Sequence, residues 1–159
     1  MSIPGTVLRY LGNAQVSYDL VGHAPTLRAN ETARTAHVSA RHLAKAVVLR
    51  DRRNHIPVVA VLPADSHLEL RWLREEMALD LEMVEESELK ILFPDCEPGA
   101  VPAFGEAYQL ATIWDQRLDQ ERDLYFEAGD HRHLIHLGSE GFHRISKGQP
   151  HAIISTREQ

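Results

Sequence analysis

Residues 43–63 read LAKAVVLRDRRNHIPVVAVLP. Two valine-rich apolar runs lie on either side of the polar segment DRRN, and this pattern predicts a β-hairpin over residues 43–62. A strand with one face in water alternates apolar and polar side chains, but both of these runs are almost continuously apolar. We therefore expect two central strands of a sheet that is covered on both faces.

Lys45 interrupts the first apolar run. In a strand its side chain points to the same face as Val47 and Leu49, and a lysine is rarely buried without a partner or a function. Two interpretations follow. Either the side chain extends past the apolar surface to reach water or a carboxylate, or the strand holds the ammonium group at a pocket wall, directed at a substrate carbonyl or phosphate.

The rest of the chain alternates short helical and extended patterns. Apolar periodicity and capping residues, with Asp65 or Ser66 as the cap of the third, predict helices over residues 4–13, 30–38, 65–78, 85–92 and 139–146. Strands are predicted over residues 15–21, 81–84, 108–114, 123–127 and 133–137. The tail from Lys147 is predicted to be peripheral. We expect one α+β domain over residues 1–159, with its core in about 5–146.

A loop of twelve residues, PDCEPGAVPAFG at 94–105, holds three prolines and two glycines. Long loops with their own turn residues are uncommon inside compact domains and are often functional. A glycine-rich turn exposes backbone N–H groups and lets a ligand approach closely. Together with Lys45, such donors are a plausible means of binding and hydrolysing an ester without a metal or a nucleophile.

Composition sets further limits. The 159 residues are 43% hydrophobic and 25% charged, which is ordinary for a globular protein. No apolar run is long enough to span a bilayer, and the first residues do not resemble a signal peptide. A single cysteine, Cys96, excludes an internal disulfide and any CxxC site. A cytoplasmic location is the default expectation.

Charge is unevenly distributed although the formal net charge is −6. Residues 28–53 hold seven basic side chains against two acidic ones, and residues 75–97 hold nine acidic side chains against one basic. Either these are two solvated surfaces of opposite sign, or the basic segment meets an anion. In the second case a nucleic acid would contact Arg28, Arg34, Arg41 and Arg50.

Several catalytic motifs are absent from the sequence, namely GxGxxG, GxxxxGK[ST], HExxH and GxSxG. His131, His133 and His136 lie close together, but two imidazoles on one strand face make only half of a metal site. Hydrogen-bonded histidines at a strand end are the favoured interpretation. Cys96 lies between Asp95 and Glu97, which works against a reactive thiolate.

Five segments resemble one known family in their order and spacing. They are GHAPT at 22–26, ETARTAHV at 31–38, LAKAVVL at 43–49, EPGAVPAFG at 97–105 and FEAGDHRHLIHL at 126–137. Together they resemble the YbaK-type family, also called the prolyl-tRNA synthetase-associated editing domain, over about residues 5–146. The resemblance implies one α+β domain with a curved mixed β-sheet flanked by helices and a pocket between sheet and loops.

The resemblance also implies a function and its residues. Members are aminoacyl-tRNA deacylases that hydrolyse the ester of a wrong amino acid, alanine or cysteine, on tRNA for proline, without a metal or other cofactor. Lys45 would contact the terminal adenosine or its phosphate, and the backbone at Gly99 would hold the aminoacyl group while water attacks. The implied substrate-binding positions are His23, Thr26, Ala100, Val101, Pro102, Ala103 and His131.

The implied partners are the acceptor end of an aminoacyl-tRNA and prolyl-tRNA synthetase, with no membrane contact. One departure concerns the glycine loop: the family pattern GxxxP places proline where this chain has Ala103, and Pro102 precedes it. Two further functions stay open. The domain could bind aminoacyl-tRNA or a nucleotide-like ligand without turnover, or hydrolyse small esters or thioesters without tRNA.

Overall fold

The computed structural model describes residues 2–158, so the two ends of the predicted domain lie outside it. Within these residues there are five α-helices: α1 Gly5–Asn13, α2 Ala29–Thr35, α3 Leu70–Met77, α4 Glu86–Leu92 and α5 Ser139–Ser146. The same residues form ten strands: β1 Asp19–Gly22, β2 Leu43–Asp51, β3 Pro57–Pro63, β4 Ser66–Leu68, β5 Leu81–Met83, β6 Ala111–Asp115, β7 Asp123–Glu127, β8 His133–Gly138, β9 His151–Ala152 and β10 Ser155–Arg157. None of the helices in this part of the chain is both long and apolar enough to cross a membrane.

The hairpin predicted from residues 43–62 is confirmed at the centre of the main sheet. Strands β2 and β3 pair antiparallel from Ala44 opposite Pro63 to Arg50 opposite Pro57. The sheet runs in the order β1-β8-β7-β2-β3-β6-β9, and β5 pairs with the far end of β2. Because β2–β7, β3–β6 and β6–β9 are parallel pairs and the others are antiparallel, the sheet is mixed.

Helices pack on both faces of this sheet, which confirms the predicted architecture of a mixed sheet flanked by helices. On one face α1 and α5 cover an aromatic core, where the rings of Trp114 and Phe142 meet edge to face at 5.3 Å. On the other face Leu73 of α3 packs with Leu49 of β2 and Ile154. The continuous apolar run of β2 follows from this burial on both faces.

Strand β2 changes partner along one of its edges. Its first residues, Leu43 and Ala44, pair with β7, and its last residues, Leu49 to Asp51, pair with β5. Within residues 2–158, the intervening residues 45–48 have no strand partner on this edge. The sheet is therefore split beside Lys45, and the split opens into a cavity.

Two predictions for the chain beyond the central hairpin are wrong. The helix predicted over residues 65–78 starts only at Leu70, because residues Ser66–Leu68 form β4 and pair antiparallel with β10. The tail is not peripheral, since Ile154 is fully buried and the Ser155 hydroxyl donates a hydrogen bond to the buried Asp115. Both errors have one cause: a short strand gains its partner from a segment almost ninety residues away.

His136 links three strands at the surface and gives a prediction for stability. Its ring nitrogens lie 3.1 Å from the carboxylate of Asp19 on β1 and 2.7 Å from that of Asp123 on β7. Its ring also stacks on Tyr125 with centroids 4.7 Å apart. Burial alone would lower the pKa of His136, but hydrogen bonds to the two carboxylates raise it above the ordinary value of 6.5.

Since the folded-state pKa of His136 lies above the unfolded value, its protonated form stabilises the fold. This contribution is fully present below pH 6.5 and is lost as the pH rises through the higher folded-state pKa. We expect His136→Gln to lower the melting temperature more at about pH 6 than at about pH 9. Thermal melts at both pH values test this, and an equal decrease at both would contradict it.

Candidate active site

A cavity of about 310 Å³ opens where the sheet is split. Strand β2 forms one wall, and the 94–105 loop forms another with Gly99 and Val101. The end of β7 contributes Glu127, and α4 contributes Leu89. Most of the lining is apolar with a few convergent polar groups, as is usual for sites that bind small molecules.

Lys45 lies half-buried at the border of this cavity. Within residues 2–158 its ammonium group makes no hydrogen bond, and no carboxylate lies within 4.0 Å. Burial lowers the pKa of Lys45, and the more distant charges of Glu158 and Asp65 only partly oppose that shift. The amine is therefore a partly desolvated cation that an incoming anion or carbonyl group can contact.

The loop presents a free backbone donor at Gly99. Its φ of +78° lies in the left-handed region, which glycine adopts without a steric penalty. The next N–H, that of Ala100, is used inside the turn and donates to the Glu97 carbonyl at 2.9 Å. The Gly99 N–H has no partner among the described residues, and Gly99 is one of the residues that line the cavity.

His131 and Glu127 connect this loop to the turn between β7 and β8. His131 Nε2–H donates to the Pro98 carbonyl oxygen at 2.6 Å, and its Nδ1 lies 3.9 Å from Glu127 Oε1. Glu127 Oε2 accepts the Gly129 N–H at 2.8 Å. Burial raises the pKa of Glu127, against the lowering effects of Gly129 and His131. A half-buried carboxyl group thus belongs to the cavity wall.

A second network of hydrogen bonds, centred on Asp95, holds the start of the loop in place. Although burial alone would raise the pKa of Asp95, hydrogen bonds from Thr6 at 2.6 Å and Tyr108 at 2.8 Å lower it. Burial raises the pKa of the neighbouring Cys96 to about 12, so its thiol stays protonated at neutral pH. This side chain packs as part of the loop's support and is unsuited to act as a nucleophile.

The structure brings together some of the predicted substrate-binding residues and separates others. Thr26, Val101 and His131 line the cavity with Lys45 and Gly99. Ala100 lines an adjoining cavity of about 210 Å³ on the other side of the loop. The remaining three are outside both cavities: Pro102 and Ala103 are buried residues of the loop itself, and the His23 ring lies 2.7 Å from its neighbour's carbonyl oxygen.

The three clustered histidines have separate partners. The His133 ring lies 2.6 Å from the Asp130 carboxylate, His136 lies between two surface carboxylates, and His131 is bound to the loop. In the described part of the chain, no three histidine, cysteine or acidic side chains are placed to hold a metal ion together.

The basic segment is divided by the fold. Arg28 and Arg34 line a groove that also contains Lys45 and that is continuous with the main cavity. In contrast, Arg41 pairs with Glu121 at 3.5 Å. Arg50 at the far end of β2 is paired with Glu88 and Glu82. Of these four arginines, Arg28 and Arg34 are the two that lie beside the cavity.

Sequence reasoning missed two features of the cavity. Glu127 lies within one of the motifs quoted above, but its place at the cavity depends on how β7 parts from β2 while it stays paired with β8. The backbone of Ala46 also lines the cavity, and no side-chain pattern predicts an unpaired edge inside a central strand. For Glu127 the sequence offered one signal, namely an acidic residue that alternates with apolar residues at the end of a predicted strand.

The fold and cavity define an α+β domain with a pocket of small-molecule size between sheet and loop. A family model described as the aminoacyl-tRNA editing domain matches residues 23–145. The chain therefore belongs to the aminoacyl-tRNA editing domain family. A sequence search of curated proteins finds no match.

Solved structures share the fold at low sequence identity. The hypothetical protein APE2540 is 18% identical, with a TM-score of 0.83 over 95% of this chain and 99% of that one. A candidate trans-editing enzyme for prolyl tRNA synthetase is 17% identical, with a TM-score of 0.78 over 99% of this chain and 100% of that one. A candidate signal transduction protein from Marinobacter aquaeolei VT8 is 18% identical, with a TM-score of 0.77 over 98% of this chain but 31% of that longer protein.

Proposed function

We propose that this protein is a trans-acting aminoacyl-tRNA deacylase. Its substrate would be tRNA for proline that wrongly carries a small amino acid, alanine or cysteine. The observation that carries the proposal is that Lys45 and Gly99 line one cavity of about 310 Å³. Within residues 2–158, the half-buried Lys45 has no ion pair and the Gly99 N–H has no acceptor. Membership of the editing-domain family supports the proposal, as does the likeness to the candidate trans-editing enzyme.

In the proposed reaction, water adds to the carbonyl carbon of the aminoacyl ester. The negative charge that develops on the carbonyl oxygen is stabilised by the Gly99 N–H, which the loop already holds in place. The bond between the carbonyl carbon and the ribose oxygen then breaks. The ribose oxygen takes up the proton that the attacking water loses, so the products are the free amino acid and the ribose hydroxyl of the tRNA. Lys45 would hold the terminal adenosine or its phosphate at the entrance, so the ester is positioned for attack.

The size of the cavity fits the need for editing. A synthetase distinguishes side chains poorly when they differ by one methylene group, which is worth only about 1–3 kcal/mol. A second, hydrolytic site with a small pocket removes the products that the first site admits. The volume here would take a small aminoacyl group together with part of the terminal nucleoside.

The acceptor end of the tRNA would approach along the groove of Arg28 and Arg34. These cations and Lys45 offer phosphate contacts in a chain that is otherwise acidic. Leu27 and Met83, which are 81% and 58% exposed, border the cavity and offer apolar surface to the terminal adenine. The proposal places the activity in the cytoplasm beside prolyl-tRNA synthetase.

One panel of substrates distinguishes this function from its alternatives. The purified protein is incubated with several correctly and wrongly charged tRNAs, and with free aminoacyl esters, while release of the amino acid is followed. We expect release from alanyl- or cysteinyl-tRNA for proline. Tight binding without release would indicate a binding module, and release from the free esters alone would indicate a hydrolase of small esters.

The proposed chemistry predicts that activity does not depend on a metal. Backbone donors and the Lys45 ammonium group stabilise the reacting groups, so incubation with EDTA should leave the deacylation rate unchanged. The measurement compares rates before and after chelation and after zinc is added back. A large loss that zinc restores would contradict this account and would direct attention to His131, His133 and His136.

A further inference from the structure

The backbone of Ala46 presents two free hydrogen-bonding groups to the cavity. Along β2 the Leu43 carbonyl faces β3, where it accepts the Ala64 N–H at 2.7 Å, whereas the Val48 carbonyl faces the other edge and accepts the Val84 N–H at 3.2 Å. Peptide groups alternate between the two edges of a strand, so those of Ala46 point the same way as those of Val48. In residues 2–158 no strand pairs with Ala46 on that edge. Its N–H and C=O therefore open into the cavity.

The arrangement of these two groups matches one amino acid. In a hydrogen-bonded pair of antiparallel strands, the N–H and C=O of one residue bind the C=O and N–H of a single partner residue. An aminoacyl ester carries the same pair, an amino nitrogen and a carbonyl oxygen on either side of one α-carbon. One aminoacyl group can therefore take the place of the missing partner of Ala46.

Glu127 offers a negative charge to the protonated amino group of an aminoacyl ester. It is the last residue of β7, at the point where that strand leaves β2, and it lines the same cavity as Ala46. Its Oε2 is used by the Gly129 N–H. Its Oε1 has no hydrogen-bond partner in the described residues, because His131 Nδ1 at 3.9 Å is too distant. A half-buried carboxylate with a free oxygen favours a cation as its partner.

We infer that the cavity selects esters whose acyl group carries a free α-ammonium group, bound between the Ala46 carbonyl oxygen and the Glu127 carboxylate. The Ala46 N–H then donates to the ester carbonyl oxygen, and the Gly99 N–H reaches the same oxygen from the opposite wall. This inference rests on the proposed function and defines its substrate class: α-amino acid esters, as distinct from hydroxy acid esters. Two donors on one carbonyl oxygen are the usual composition of an oxyanion hole.

Two matched ligands test the inference without turnover. Each is 3′-amino-3′-deoxyadenosine with an amide-linked acyl group, alanyl in one and lactyl in the other, so that only the ammonium group is replaced by a hydroxyl. Calorimetry should show that the alanyl ligand binds at least about tenfold more tightly than the lactyl ligand.

Glu127→Gln should reduce this ratio to about one or two by weakening the alanyl ligand alone. The glutamine keeps an oxygen for the Gly129 N–H, so the turn is retained. Glu140→Gln is the control for charge, since Glu140 lies on α5 with its side chain 93% exposed, and it should leave the ratio unchanged.

Three results would overturn the inference: equal binding of the two ligands, no detectable binding of the alanyl ligand, or equal weakening of both ligands by Glu127→Gln. The last would show that Glu127 only supports the turn. Hydrolysis of alanyl-tRNA is measured in parallel. Turnover with equal ligand binding would refute the inference and leave the deacylase standing, whereas selective binding without turnover would support the inference and refute the deacylase.

Discussion

Lys45→Ala should lower the deacylation rate by more than about tenfold while the protein stays folded. The amine has no partner in residues 2–158 and borders the cavity, so its removal takes away a contact to the substrate and breaks no internal ion pair. The truncated side chain leaves only a small gap at the edge of the cavity. Single-turnover rates and thermal melts measure the two effects separately.

Three further variants separate charge from shape. Lys45→Met keeps an unbranched apolar stem but removes the charge, and it should be as inactive as the alanine variant. Lys45→Arg should also be poor, because a forked guanidinium does not replace a compact ammonium group in a tight site. Lys147→Ala removes the same charge from an exposed position and should be fully active. Activity of Lys45→Ala within about twofold of wild type would show that this lysine merely extends to solvent.

Gly99→Val should cost about 100-fold or more in deacylation rate, by analogy with the loss of one oxyanion donor, which is about 3 kcal/mol. A Cβ at this position would lie 3.7 Å from the His131 ring, so the site has room for one atom. The backbone at φ +78°, however, is strongly disfavoured for a β-branched residue. The loop would rearrange and turn its N–H away from the ester.

The control for this strain is Gly148→Val. Gly148 has a φ of +82° and no atom within 4 Å of an added Cβ, and it lies in the tail, outside the cavity. This variant should lose stability to a similar extent but keep its activity. If Gly99→Val is fully active, or if both variants lose activity in proportion to their stability, the loop is not the catalytic cradle.

The centre of the sheet could be predicted because β2 and β3 follow one another directly in the sequence. Their apolar runs are joined by a short polar turn, and a covered hairpin needs no distant information. Lys45 could be singled out for the same reason, since a lone charge in a buried strand is a local anomaly. The glycine-rich loop was visible from its composition alone.

The parts that sequence reasoning missed depend on contacts between distant segments. Strand β4 forms because β10 pairs with it, and this overrides the helical pattern that starts near Asp65. The split beside Ala46 arises because β7 and β5 pair with opposite ends of one strand. The proposed role of Glu127 in binding the substrate's ammonium group depends on this split. The burial of Pro102 and Ala103, at the end of the loop, likewise depends on the aromatic core, which the sequence does not locate.

The proposed deacylase activity can be measured in a single-turnover experiment. Alanyl-tRNA for proline is mixed with an excess of the wild-type protein, and release of alanine is compared with release in buffer alone and with the Lys45→Ala variant. We expect rapid release of alanine with the wild-type protein only, and we expect the tRNA itself to be intact at the end of the reaction. Release no faster than in buffer, under conditions in which the protein demonstrably binds the charged tRNA, would contradict it.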